Sequence, residues 1–164
     1  MGMAVCFAAV GPDTLARLRA APDDIKHYLH PDDGEGPPHE TDVDKAWHGI
    51  HYLLTGTARE GREPFSWAIM GAEDIGPDLG MGPARLLTPE QVIRLAAALD
   101  SLTTDELSAR FDPQAMQDKG IYPEGIWLRD RDDALQYLLE NFALMADFYR
   151  EAAARGDGVL LWTC

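Results

Sequence analysis

From Asp130 to Arg155 the chain carries one continuous helical pattern, and nothing else in the sequence restricts the fold as strongly. Leu135, Leu138, Leu139, Phe142, Met145 and Tyr149 recur every three or four residues, the spacing that aligns side chains along one face of an α-helix. Tyr137, Leu144 and Phe148 widen that stripe, so the helix must be covered on more than one side. At 1.5 Å per residue it spans roughly 39 Å, and Gly156 supplies its stop. A chain built around such a helix needs other elements to enclose it.

The rest of the sequence supplies them. Met3 to Val10 and Gly158 to Cys164 are apolar runs that read as buried strands at the two ends of the chain. Pro12 to Ala21 reads as a short helix with Leu15 and Leu18 inward, followed by a turn or two from Asp23 to Leu29. Thr88-Pro89-Glu90-Gln91 combines a cap, a first-turn proline and the glutamine of a capping box, opening a helix to about Ser101. Thr103-Thr104-Asp105-Glu106 repeats the signal for a helix to Phe111, and Asp112-Pro113 opens another. Pro64 to Met70 reads as a brief helix and Arg85 to Leu87 as a short strand. His30 to Glu40 and Gly76 to Pro83 are rich in Gly and Pro and read as loops. The expected fold is α+β: a single compact domain over residues 1–164, several helices around a small sheet that includes the N- and C-terminal strands.

Charge narrows the function. The chain has 28 acidic and 14 basic residues, a net charge of −14. Acidic residues fall equally on either side of Gly82, so no tail explains the balance. A surface of that sign disfavours nucleic acid and anionic membranes, which want clustered Lys and Arg. It favours solubility and fast encounter with a basic partner. The apolar N-terminus has no positive charge before it and stops at Gly11-Pro12, too short for a leader or a span. A cytoplasmic location is the resulting expectation. Cys6 and Cys164 sit in the two end strands; they approach each other if those strands are neighbours, but buried reduced thiols are the expected state.

The candidate chemistry lies in Thr41 to Gly56. Thr41 or Asp42 is placed to cap a helix, with Val43, Trp47, Ile50, His51 and Leu54 on one face and Gly56 as its stop. Thr55 is expected to bond back to a carbonyl one turn earlier. His51 is therefore an imidazole in an apolar stripe beside Trp47, with Asp44 and His48 four residues apart on an adjoining face as polar helpers. Such a histidine serves as a base or ligand, or as a core imidazole bonded to a carbonyl and a neighbouring side chain. A closed zinc site needs about four ligands and this helix offers at most three, so no metal is expected. Tyr122-Pro123 with Trp127 forms a second aromatic group, able to wall a pocket or to staple its segment to the core. No phosphate-binding glycine loop, nucleophile elbow or other cofactor signature is present, so no cofactor is expected.

Three pieces together carry a family likeness: Met1-Gly2-Met3, the pattern Asp42-x-Asp44-Lys45-x-Trp47-x-x-Ile50-His51-x-x-Leu54-Thr55-Gly56, and Ile121-Tyr122-Pro123. In their order and spacing the chain resembles the YfbM-like family of small bacterial proteins, a domain of unknown function. The resemblance implies a compact α+β protein of the bacterial cytosol and carries no activity. His48 stands where an acidic residue suits that pattern equally well, which weakens a two-histidine metal site.

Two functional expectations result. The first is an acidic protein-interaction domain that captures a basic protein, as an antitoxin or immunity factor does, acting as a monomer or weak dimer. The alternative is a small-ligand binder or enzyme with a pocket around Trp47, His51, Thr55, Tyr122 and Trp127.

Overall fold

The computed structural model describes residues 2–164. In chain order the elements are β1 (Val5–Val10), α1 (Pro12–Ala20), α2 (Ile25–Leu29), β2 (Glu40–Asp42), α3 (Trp47–Thr55), α4 (Trp67–Met70), β3 (Glu73–Asp78), β4 (Pro83–Leu87), α5 (Pro89–Asp100), α6 (Thr104–Ala109), α7 (Pro113–Asp118), α8 (Ile126–Asp130), α9 (Asp132–Arg155) and β5 (Gly158–Thr163). The strands form one antiparallel sheet in the order β2-β1-β5-β4-β3. The fold is α+β, and the two end strands are neighbours at the centre of the sheet.

Both faces of that sheet are covered, which explains why β1 is apolar at every position. Val5, Phe7 and Ala9 join Val159, Leu161 and Leu87 in a core shared with α3, α4, α5 and α9. Cys6, Ala8 and Val10 join Leu160, Leu86 and Ala84 against Leu15 and Leu18 of α1 and Ile25 and Leu29 of α2. The alternation is that of a strand buried on two sides. Both capping boxes form: Thr88 and Gln91 exchange bonds at the start of α5, and Thr103 and Glu106 do so at α6.

The long helix holds with two amendments. Its start is set off from α8 at Arg131, a non-glycine residue at φ 42°. Leu144, expected to widen the stripe, is 57% exposed, whereas Tyr137 and Phe148 pack partly against the core. Two strands lie where loops were expected. β2 pairs its Glu40, Thr41 and Asp42 with Ala8, Phe7 and Cys6, so Thr41 and Asp42 belong to a strand and do not cap α3. β3 is acidic and irregular, shifting register between Ile75 and Asp78. Gly76 adopts φ +81° there, and a Cβ would lie 2.8 Å from the Pro22 carbonyl oxygen, so this position requires glycine.

The thiol expectation is corrected. Cys6 faces α1 and α2 opposite Trp162, and Cys164 lies two residues further along on the same face, exchanging backbone bonds with Ala4. Their Cα atoms are 6.2 Å apart and the two residues are joined as a disulfide, within the separation that such a bridge spans. Neighbouring strands, an arrangement that composition cannot reveal, bring them together.

Candidate functional site

The chain enters α3 through a tight turn. Asp42 Oδ1 accepts from the Asp44 N–H at 2.8 Å, and Asp44 sits at φ 46°. A single 3₁₀ turn then leads into the helix, which has no side-chain cap. Gly56 ends α3 at φ 73° with its N–H on the Tyr52 carbonyl, and the Thr55 hydroxyl donates to the His51 carbonyl at 2.8 Å. Both ends are as the residue types require. Every residue from His48 to Leu54 is buried, so the helix is enclosed on all sides and not along one stripe.

The two histidines hold backbone. His48 Nδ1 accepts from the Tyr122 N–H at 2.9 Å, which obliges Nε2 to carry the proton that it donates to the Ala58 carbonyl at 2.7 Å. Burial lowers its pKa, with the Ala58 carbonyl opposing that shift. The ring lies flat against Trp47, centroids 4.7 Å apart and planes within 5°. His51 is fully enclosed; its Nε2 bonds the Glu60 carbonyl at 2.9 Å and its Nδ1 has no partner. Together the two imidazoles clasp the segment between Ala58 and Glu60 onto α3. His48, the expected helper, is the imidazole with both ring nitrogens bonded, to a backbone carbonyl and a backbone N–H where a carbonyl and a neighbouring side chain were expected for His51.

Burial pushes the His51 imidazole down to about 4, with the Glu60 carbonyl opposing the shift. The unfolded chain protonates it near 6.5. Its contribution is therefore complete above pH 6.5 and is lost as pH falls toward 4, about 3 kcal/mol in all. Urea unfolding at pH 7 and pH 4 should show His51→Leu losing about 3 kcal/mol less than wild type across that interval. Equal losses in the two proteins would exclude His51 as the source.

The remaining candidates separate into three places. Trp47 and Tyr122 stack with centroids 5.8 Å apart and grip Met3 between their polar atoms: the Trp47 indole donates to the Met3 carbonyl at 3.0 Å, and the Tyr122 hydroxyl accepts from the Met3 N–H at 3.0 Å. Trp127 is fully buried and donates to the Ile121 carbonyl at 2.8 Å. Asp44 is far from acting with His48; it accepts from the Tyr137 hydroxyl at 2.7 Å, and burial first, then this carboxylate, raises the Tyr137 pKa. Thus Trp47, His48 and Tyr122 come together, while His51 with Thr55, Trp127, and Asp44 each serve elsewhere. The chain's own Met3 backbone is bonded between Trp47 and Tyr122.

An open cleft lies beside this group. It measures about 250 Å³ and is lined by Met3, Val5, Trp47, Ile69, Met70, Met81, Pro83, Leu161 and Thr163, with Arg59 and Arg85. Of the expected pocket residues only Trp47 borders it. The others come from the segment before β1, from β1, β4, β5, α4 and two connections, separate segments that no local pattern links. Among the described residues no group of three or more His, Cys, Asp or Glu is placed to hold a metal ion.

Comparison with known proteins agrees with this architecture. The family model of a domain of unknown function, DUF1877, matches residues 1–162. No curated protein matches the chain. The crystal structure of a protein of unknown function, YfbM from Escherichia coli, superposes with a TM-score of 0.78 at 22% identity, covering 98% of this chain and 99% of that one. At that identity the likeness concerns the fold.

Proposed function

Since the chain belongs to the DUF1877 family, a domain of unknown function, we propose its role from its own surface: it is an acidic protein-interaction domain that receives a basic protein partner. The observation that carries this reading is charge left without a counterion. Only seven of the 28 acidic side chains are ion-paired among the described residues. From Asp32 to Asp44 the acidic residues Asp32, Asp33, Glu35, Glu40, Asp42 and Asp44 are all exposed and no Lys or Arg lies among them. That run passes through β2, whose outer side is an edge of the sheet, and edge strands are where a second chain can add backbone bonds.

An antitoxin or immunity factor facing a basic toxin is one instance of such a pairing. The Cys6–Cys164 bond is a feature of oxidising compartments. No described helix is long and apolar enough to cross a membrane.

The test is kinetic. For a basic protein cross-linked to this chain in its host and then purified, association should slow at least tenfold as salt is raised to a physiological level, within the ~10–10³-fold range of steered encounter. Glu40→Lys with Asp42→Lys should reproduce most of that loss at low salt. A rate that ignores both salt and the charge reversals would exclude the acidic edge as the docking surface.

A further inference from the structure

The cleft beside Trp47 carries only positive side-chain charge, in a chain whose net charge is −14. The geometry points to a binding site for a small amphipathic anion there, a single ring carrying a carboxylate on a short arm, with Trp47 walling the ring and Arg59 holding the acid.

Four observations lead to it. The first is preorganisation. The Trp47 indole is fixed by its bond to the Met3 carbonyl and by stacking on His48 and Tyr122, so a ring placed against it meets a rigid wall and orders little on binding. The second is size. A cavity of about 150 Å³ accepts benzene, so in proportion this open cleft of about 250 Å³ accepts a ring with about four or five further heavy atoms.

The third is charge. Both charged residues lining the cleft are arginines, in a chain with twice as many acids as bases. Arg85 is partly engaged: it donates to the Met70 carbonyl at 2.7 Å and lies 3.4 Å from Asp74. Arg59 makes no hydrogen bond or ion pair among the described residues, although its charge is close enough to help lower the His48 pKa. A guanidinium left unpaired beside an apolar cleft matches a carboxylate, which it can hold with two parallel bonds.

The fourth is the apolar rim. Met81 is 56% exposed on the β3–β4 connection, yet the turn that presents it is ordered, with Asp78 Oδ1 accepting from both Gly80 and Gly82. Met3 and Met70 line the cleft with it. Three unbranched thioether side chains around one opening adapt to a ring and favour contact with its edge.

The site stands apart from the acidic edge at β2, so its test is independent of the protein-partner reading. The probes are 3-phenylpropionate and its uncharged amide, titrated into nitrogen-15-labelled protein while the Trp47 indole N–H resonance is followed. The acid is expected to move that resonance and to bind about fivefold more tightly than the amide, the scale of an exposed ion pair. R59Q should reduce the acid to the amide's affinity, and because Arg59 is exposed and unpaired its fold should be intact by circular dichroism. R85Q, which also breaks the contact to Met70, should weaken both probes. Equal affinity of acid and amide for wild type, or R59Q binding the acid as wild type does, would overturn the anion assignment. A Trp47 resonance unmoved by both probes would overturn the site.

Discussion

Reduction of the Cys6–Cys164 disulfide is expected to lower the unfolding free energy by about 5 kcal/mol. The bond closes a loop with a sequence separation of 158, and the constraint it places on the unfolded chain grows with the logarithm of loop length. For a domain of this size each kilocalorie corresponds to a few degrees, so melting should fall by roughly 10–20 °C when reductant is added. Cys164→Ser should melt like the reduced wild type and ignore reductant. Cys164 is exposed while Cys6 is buried, so the serine at 164 adds no buried polar group and the comparison is clean. Melting that does not respond to reductant would mean that the thiols are free in solution. The stability available to the protein therefore depends on the compartment in which it works.

The second large effect is at Trp127. Trp127→Ala is expected to cost about 4 kcal/mol in urea unfolding with an unchanged denaturant slope. The side chain is fully buried, and removing it opens a cavity while orphaning the Ile121 carbonyl that accepts its indole N–H. The site collapses poorly because its neighbours are already tight: a Cβ on Gly49 of α3 would lie 2.8 Å from Trp127 Cη2 and 2.5 Å from Leu138 Cδ2. Trp127→Phe keeps part of the ring volume and should recover about half the loss. A cost below about 1 kcal/mol for the alanine variant would show that α8 is not anchored through this residue.

Trp127 also shows where sequence reading succeeds and where it stops. Its aromatic character with Tyr122-Pro123 announced a junction, and the structure makes that junction from two bonds between side chain and backbone, Trp127 to the Ile121 carbonyl and the Tyr122 N–H to His48. The partner helix was invisible, because a bond between residues 74 apart leaves no local pattern. The capping boxes at Thr88 and Thr103, the stops at Gly56 and Gly156 and the end strands were legible for the opposite reason: each is decided within a turn or by continuous burial. β2 and β3 were not. Their residues, Glu-Thr-Asp and Glu-Asp-Ile-Gly-Pro-Asp, carry turn and surface chemistry, and they are strands because a neighbour offers them backbone bonds at an edge. His51 was legible as a buried imidazole beside apolar neighbours, but its bond to Glu60 depends on where the chain returns after Gly56. The cleft was the least legible feature, since Trp47, Arg59 and Arg85 meet only when the sheet and α4 are assembled.

The strand order β2-β1-β5-β4-β3 has a consequence for synthesis. While the chain emerges, β1 can pair only with β2, and β4 only with β3, so the nascent protein holds two separate ribbons. β5 is the strand that must slide between them, and at about 5–20 residues per second the ribosome delivers it roughly 4–14 s after Leu87. For that interval the inner edges of β1 and β4 stay open, each with apolar side chains on both faces. Two sticky half-sheets therefore stand exposed until β5 is delivered, and this chain should depend on holding chaperones far more during synthesis than during refolding of the whole, linked domain.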